Sequence, residues 1–181
     1  MTYISSDTNV WIDFMTIGKM EIPFLLPYTY IMSKEAIEDE LLSPPGLGSR
    51  LISFGLVPVE ITAEEFFLAE RYGNEYLKLS RYDRIALAIA KQREIVLLTG
   101  DSALRKAAKQ EGVTIMGTLG VLDQLLERRI ITEGEYISCL IELQKYNGGP
   151  VRLPKDELDE RIKRTSRGCD PRAGAGGGDD R

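Results

Sequence analysis

The chain has 181 residues, 43% of them hydrophobic, which suits one domain with a single filled core and a modest extension. With no histidine and only two cysteines, Cys139 and Cys169, the composition excludes a Ser-His-Asp or Cys-His catalytic site, a disulfide framework and a zinc site, and both thiols read as reduced and without a role. The formal charge of −5 argues against a broad basic surface for nucleic acid, but not against a local groove, because acids gathered in a metal site lower the total by themselves.

In chain order, Tyr3–Ser6 reads as a first strand with Asp7 at its exit, and a helix follows through Val10, Trp11, Ile12 and Phe14. Pro27 breaks that pattern, and Tyr28–Met32 reads as a second strand. Ser33 can cap a helix over Lys34–Leu42, which Pro44-Pro45-Gly46 stops before a loop. Leu56–Ile61 is apolar and β-branched, and Pro58 confines it to a sheet edge. Thr62 with Glu65 forms a capping box for a helix running toward Leu79. Ser80 with Asp83 forms a second box, heading a helix Arg84–Lys91.

Ile95–Leu98 is a continuous apolar run, as expected for a strand buried on both faces. Gly100-Asp101-Ser102 turns the chain into a helix Ala103–Glu111, and Val113–Met116 is another short strand. Beyond Gly117 the pattern is helical: Leu119, Leu122, Leu125 and Leu126 share one apolar face, and Thr132 with Glu135 makes a third capping box.

Strands alternating with helices predict an α/β fold, a three-layer α/β/α sandwich around a mainly parallel sheet, with a helical C-terminal extension. The expected organisation is a domain over residues 1–150, a charged, solvated helix over 151–165 (Lys155–Arg164), and a disordered Gly-, Asp- and Arg-rich tail over 166–181. No apolar run approaches the roughly 18–20 residues of a membrane span. The start Met1–Asp7 carries neither basic nor apolar signal features, so a cytoplasmic protein without a membrane partner is expected.

In an open parallel sheet, sites form beyond the carboxyl ends of the strands. Asp7 and Asp101 fall there; Asp83 lies in the first turn of the helix before the fourth strand, and Glu40 about two turns into the helix after the second. Each also has an ordinary structural explanation. Asp7 and Asp101 are good N-caps worth about 1 kcal/mol each, Asp83 completes a capping box, and Glu40 is one of several acids on its helix. The residues alone thus define an α/β domain with either an acidic site or a set of caps.

Four segments resemble the PIN-domain nucleases: Ser6-Asp7-Thr8-Asn9-Val10-Trp11, Lys34–Leu41, Leu79–Ala88 and Leu97–Arg105. The resemblance covers about residues 1 to 130. It places the metal-site acids at Asp7, Glu40 (with Asp39 as the adjacent alternative), Asp83 and Asp101. Gly100 stands where many relatives carry a further acid. Met116-Gly117-Thr118-Leu119-Gly120-Val121-Leu122 resembles a branch of that superfamily found beside toxin–antitoxin genes.

The resemblance implies Mg2+- or Mn2+-assisted hydrolysis of RNA phosphodiesters. Asp7, Asp83 and Asp101 would hold the ion, and Glu40 a second ion or the attacking water. Thr8, Asn9, Thr99 and Ser102 are candidates to hydrogen-bond the carboxylates or phosphate, or else are local caps. Arg81, Arg84, Arg105 and Lys106 are candidate RNA contacts, with a solvated helix surface as the plainer reading of each. Trp11 is expected in the core, with base stacking as the alternative. An antitoxin that covers the acidic pocket and a homodimer through the apolar helices after Gly117 are the expected partners beside RNA.

Three rival readings stand beside this one. A PIN-like module could bind RNA or protein without cutting. A phosphatase of the receiver-like α/β type and a four-acid exonuclease both want an acid two residues after Asp7, where Asn9 stands.

Overall fold

A computed structural model describes residues 2–168, and the side chains of residues 2–165. Strands β1 (Thr2–Ser6), β2 (Tyr28–Ser33), β3 (Val57–Val59), β4 (Val96–Leu98) and β5 (Ile115–Met116) form one sheet in the order β3-β2-β1-β4-β5. Every pairing is parallel, and β3, the strand with Pro58, lies at an edge as its proline requires. The connecting and following helices are α1 (Thr8–Thr16), α2 (Lys34–Glu40), α3 (Leu47–Phe54), α4 (Ala63–Glu75), α5 (Arg81–Gln92), α6 (Ser102–Gln110), α7 (Thr118–Glu127), α8 (Glu133–Tyr146) and α9 (Lys155–Gly168).

The period-two alternation of strand side chains sorts the helices into layers. Ile4 pairs in register with Tyr30 and Val96, and these, with Met32 and Leu98, face α1, α2, α3, α7, α8 and α9. Ser5 pairs with Ile31 and Leu97 on the opposite face, where the two apolar side chains meet α4, α5 and α6. The result is a three-layer α/β/α fold with one core on each side of the sheet. All three expected capping boxes form, at Thr62/Glu65, Ser80/Asp83 and Thr132/Glu135.

Several expectations are corrected. The chain after Pro44-Pro45-Gly46 is not a plain loop but leads into α3, whose Leu47 and Leu51, four residues apart, are 1% and 0% exposed. Gly46 begins it at φ +80°, which favours glycine, and a Cβ on Gly48 would come within 3.0 Å of Ile37 Cγ2, so backbone conformation at the first and close packing against α2 at the second explain the glycines that disguised this helix. A 3-10 turn over Ile22–Leu25, with Pro23 in its first turn, was also not anticipated. α4 ends at Glu75, short of Leu79, and α5 begins at Arg81, one turn earlier than expected.

The C-terminal helix is not fully solvated. Leu158 is completely buried, Gln144 donates to Asp159 at 2.7 Å, and Arg161 grips Asp123 at 2.8 Å. The amphipathic face of α9 therefore belongs to the core shared by α7 and α8. That helix continues through Gly168; the rest of the tail expected over 166–181, with Cys169, lies outside the described residues. Leu119, Leu122 and Leu125, on the first of the apolar helices after Gly117, are buried inside the domain. Among the described residues no helix is long and apolar enough to cross a membrane.

Candidate active site

The chain leaves β1 for β2 on one side and later returns to β4 on the other, so the strand order reverses beside β1, where open sheets place their sites. The register Ser6↔Leu98 makes Asp7 and Thr99 neighbours at the two strand exits, and the Asp7 amide donates to Leu98 O at 2.9 Å. Asp7 is 4% exposed and fully engaged: Oδ1 accepts from Thr8 N at 2.7 Å, and Oδ2 accepts from Asn9 Nδ2 at 3.0 Å and Thr99 Oγ1 at 2.9 Å. Thr99 Oγ1 also accepts from Asp101 N at 3.1 Å, tying the first motif to the fourth.

Behind this cluster Trp11 Nε1 donates to Ser6 Oγ at 3.2 Å, and its ring stacks on Phe24 at 5.1 Å. Trp11 is wholly buried, so base stacking is overturned and core packing holds.

Glu40, the last residue of α2, is half-buried and accepts from Thr8 Oγ1 at 2.5 Å. The neighbouring Asp39 is exposed and accepts from the Tyr82 hydroxyl instead. Asp83 Oδ2 accepts from Ser80 N at 2.7 Å, and Asp101 Oδ1 accepts from Leu104 N at 2.8 Å. The capping roles are therefore real, and they occupy one oxygen each of Asp83 and Asp101. A void of about 10 Å³, room for about one water, lies between Asp7, Ser33, Glu40 and Tyr82.

The acids sense one another. Burial pushes Asp7 up to about 7, with the charges of Asp83 and Glu40 adding, against the hydrogen bonds from Thr99 and Thr8. Glu40 is raised by burial, and Asp83 and Asp39 add to this against its bond from Thr8. Asp83 is raised by burial and by Asp101, against its Ser80 bonds and the charge of Arg84. Among the described residues no ion pair reaches any of the four acids. Nor, among them, do three acids or other ligating side chains stand close enough together to hold one ion.

The other expected residues divide. Thr8, Asn9 and Thr99 bond the carboxylates directly. Ser102 lines a cavity of about 480 Å³ beside Asp101, and Arg105 and Lys106 line an adjoining one. Arg81 is exposed, with its guanidinium carbon 5.8 Å from the Tyr82 ring centre. Arg84 folds back on its own helix, Nε donating to Ser80 O at 3.2 Å.

Two residues escaped the sequence. Asp13 is 4% exposed, accepts from Thr118 Oγ1 at 2.5 Å, and shares the cavity of Asn9 and Asp101. Burial pushes it up to about 6 against that Thr118 bond. Its signal was present: an acid four residues after Asn9 in an otherwise apolar helix. Arg152, which lines the same cavity, had none, since a loop far along the chain brings it there.

A family model described as "DUF3368: PIN domain" matches residues 3–167, from β1 into α9, and takes in all four acids. No curated protein and no solved structure matches the chain.

Proposed function

The chain belongs to the PIN-domain family, a nuclease-type fold, and on that premise we propose that it is a metal-dependent ribonuclease whose site is Asp7, Glu40, Asp83 and Asp101. The observation that carries the proposal is Asp7, an acid buried among other acids with no cation paired to it. A structural carboxylate in such a place costs several kcal/mol unless something positive joins it.

The donor set is carboxylate and hydroxyl oxygen, which fits Mg2+ or Mn2+ and not a soft metal. Because magnesium keeps several of its waters and needs only one or two direct carboxylates, Asp7, Asp83 and Asp101 would hold the ion partly through water, with Glu40 set to orient water or hold a second one. A bound divalent ion would supply charge to the phosphate and acidity to a water.

The chain's own part is positioning. Asn9, Thr99 and the Thr8 amide fix both oxygens of Asp7, and Thr8 aims Glu40 into the same space. Asp7, Asp83 and Asp101 sit at the starts of α1, α5 and α6, whose N-terminal dipoles favour phosphate as well as carboxylate. With Asp7 pushed up to about 7, ion binding near neutral pH is expected to release a proton.

A second reading has one observation in its favour. Since no three of the acids stand within reach of a single ion, a PIN-like module that binds RNA or protein without cutting would look much the same. Cleavage of a labelled single-stranded RNA with Mg2+ or Mn2+ separates the two, with EDTA and Asp7→Asn as controls. Cutting that needs metal and vanishes in the variant supports the nuclease. Folded protein that cuts nothing with either metal supports the binding module. The toxin role suggested by Met116–Leu122 predicts growth arrest on expression that Asp7→Asn relieves; equal growth of both strains would end that part.

A further inference from the structure

Two cavities, of about 480 and about 590 Å³, adjoin beside Asp101 and share Gly100, Ser102 and Arg152 as walls. The inner one holds Asp101, Asn9 and Asp13. The outer one is lined by four cations: Arg105, Lys106 and Lys109 from α6, and Arg152 from the loop between α8 and α9. Its one acid, Glu157, is engaged by Arg161 at 3.5 Å, whereas none of the four cations has an ion-pair partner among the described residues. In a chain of net charge −5, such a concentration runs against the average.

The loop is rigidly built. Asn147 Nδ2 donates to Leu153 O at 3.0 Å, and Leu153 N returns a bond to Asn147 Oδ1 at 3.0 Å. Gly148, at φ +96°, donates to Val151 O at 3.0 Å, and Val151 is completely buried. Arg152 is thus an exposed side chain between two anchored residues, lining the same cavity as the α6 cations. Arginine and lysine brought to one cavity from two elements suit the phosphates of an extended strand.

We propose that this groove is a phosphodiester track. RNA reaching the acidic site runs past Asp101 between α6 and the 147–154 loop, with Lys109 and Arg152 gripping its backbone. The inference rests on the ribonuclease reading for its ligand, but it is tested by binding alone.

The test is anisotropy of a labelled single-stranded RNA in EDTA across a salt series, with full-length protein whose folding is checked by thermal melting. Arg152→Ala and Lys109→Ala should each weaken binding several-fold and lower the slope of log affinity against log salt by roughly 0.7. The double variant should lose about tenfold or more, and Arg152→Glu more than Arg152→Ala. Arg152→Lys should retain most of the affinity, and Arg50→Ala, at an exposed position of α3, should change nothing.

Unchanged affinity and slope in the double variant would overturn the track and leave the groove to an acidic protein partner; so would wild-type protein that binds no RNA. Metal-dependent cutting is scored separately. Cutting with a silent groove defeats only the track, and groove-dependent binding without cutting defeats only the nuclease.

Discussion

Glu65 and Asp7 are both buried, at 2% and 4% exposure, yet they differ in kind. Burial raises Glu65, but the Arg93 hydrogen bond, the Thr62 amide and the Arg93 charge outweigh it and hold its carboxyl below the usual range. Arg93 Nε donates to Glu65 Oε1 at 2.6 Å and its Nη2 to Oε2 at 3.0 Å, a forked grip that stitches α4 to the end of α5. Asp7 has as many hydrogen bonds but no cation, and its neighbours are acids, so it is pushed up to about 7. Burial alone does not mark a functional acid. The difference is that Glu65 brings its own counter-charge, whereas Asp7 has none, as the proposed ion site requires.

The comparison breaks most directly at Asp7. Asp7→Asn is expected to lower RNA cleavage by about 10³-fold or more, several kcal/mol of transition-state stabilisation. In metal-free protein it should also raise the melting temperature at pH 8, because it removes an unpaired buried charge. A variant that loses activity and stability together would make Asp7 a structural acid like Glu65. Thr99→Val deletes one donor to Asp7 while keeping the volume, and should cost roughly 10–100-fold in metal affinity or activity. Unaltered metal titration in that variant would mean that Thr99 serves only its turn.

Glu65→Gln should do the reverse of Asp7→Asn. It is expected to cost about 2 kcal/mol in denaturant unfolding, below the full value of a buried pair because Arg93 is 31% exposed. Cleavage per folded molecule should be unchanged; a loss of activity would couple the outer helices to the site.

The smallest effect is on pH. Asp7 and Asp13 have folded values raised from 3.8 to about 7 and about 6, so the folded protein binds more protons than the unfolded chain in between. Their stabilising contribution is complete below about pH 4 and is lost as the pH rises through 6 and 7. Metal-free protein should therefore melt progressively lower across that window, and Mg2+ or Mn2+ should flatten the decline. A melting temperature that rises from pH 5 to 8 in EDTA would contradict the picture of Asp7.

What could be seen in the sequence was local. The capping boxes at Thr62, Ser80 and Thr132, the apolar strand ending at Leu98 and the acids at strand exits all express themselves within four residues, the reach of a helical turn or a strand's alternation. Those signals, with their order, sufficed for the layered α/β fold, but naming Asp7, Glu40, Asp83 and Asp101 as a set took the resemblance of four segments to the PIN-domain nucleases.

What only the tertiary structure decided depends on residues far apart in the chain. Trp11 and the α7 leucines turned inward because the layers closed on them, and α9 docked because Leu158 found a core built by α7 and α8. Asp13 met Thr118 across 105 residues, and a loop brought Arg152 to the cavity that Lys109 lines. Whether an acid is a cap or a site depends on which charges surround it. That is set by the packing of distant segments, and no spacing along the chain records it.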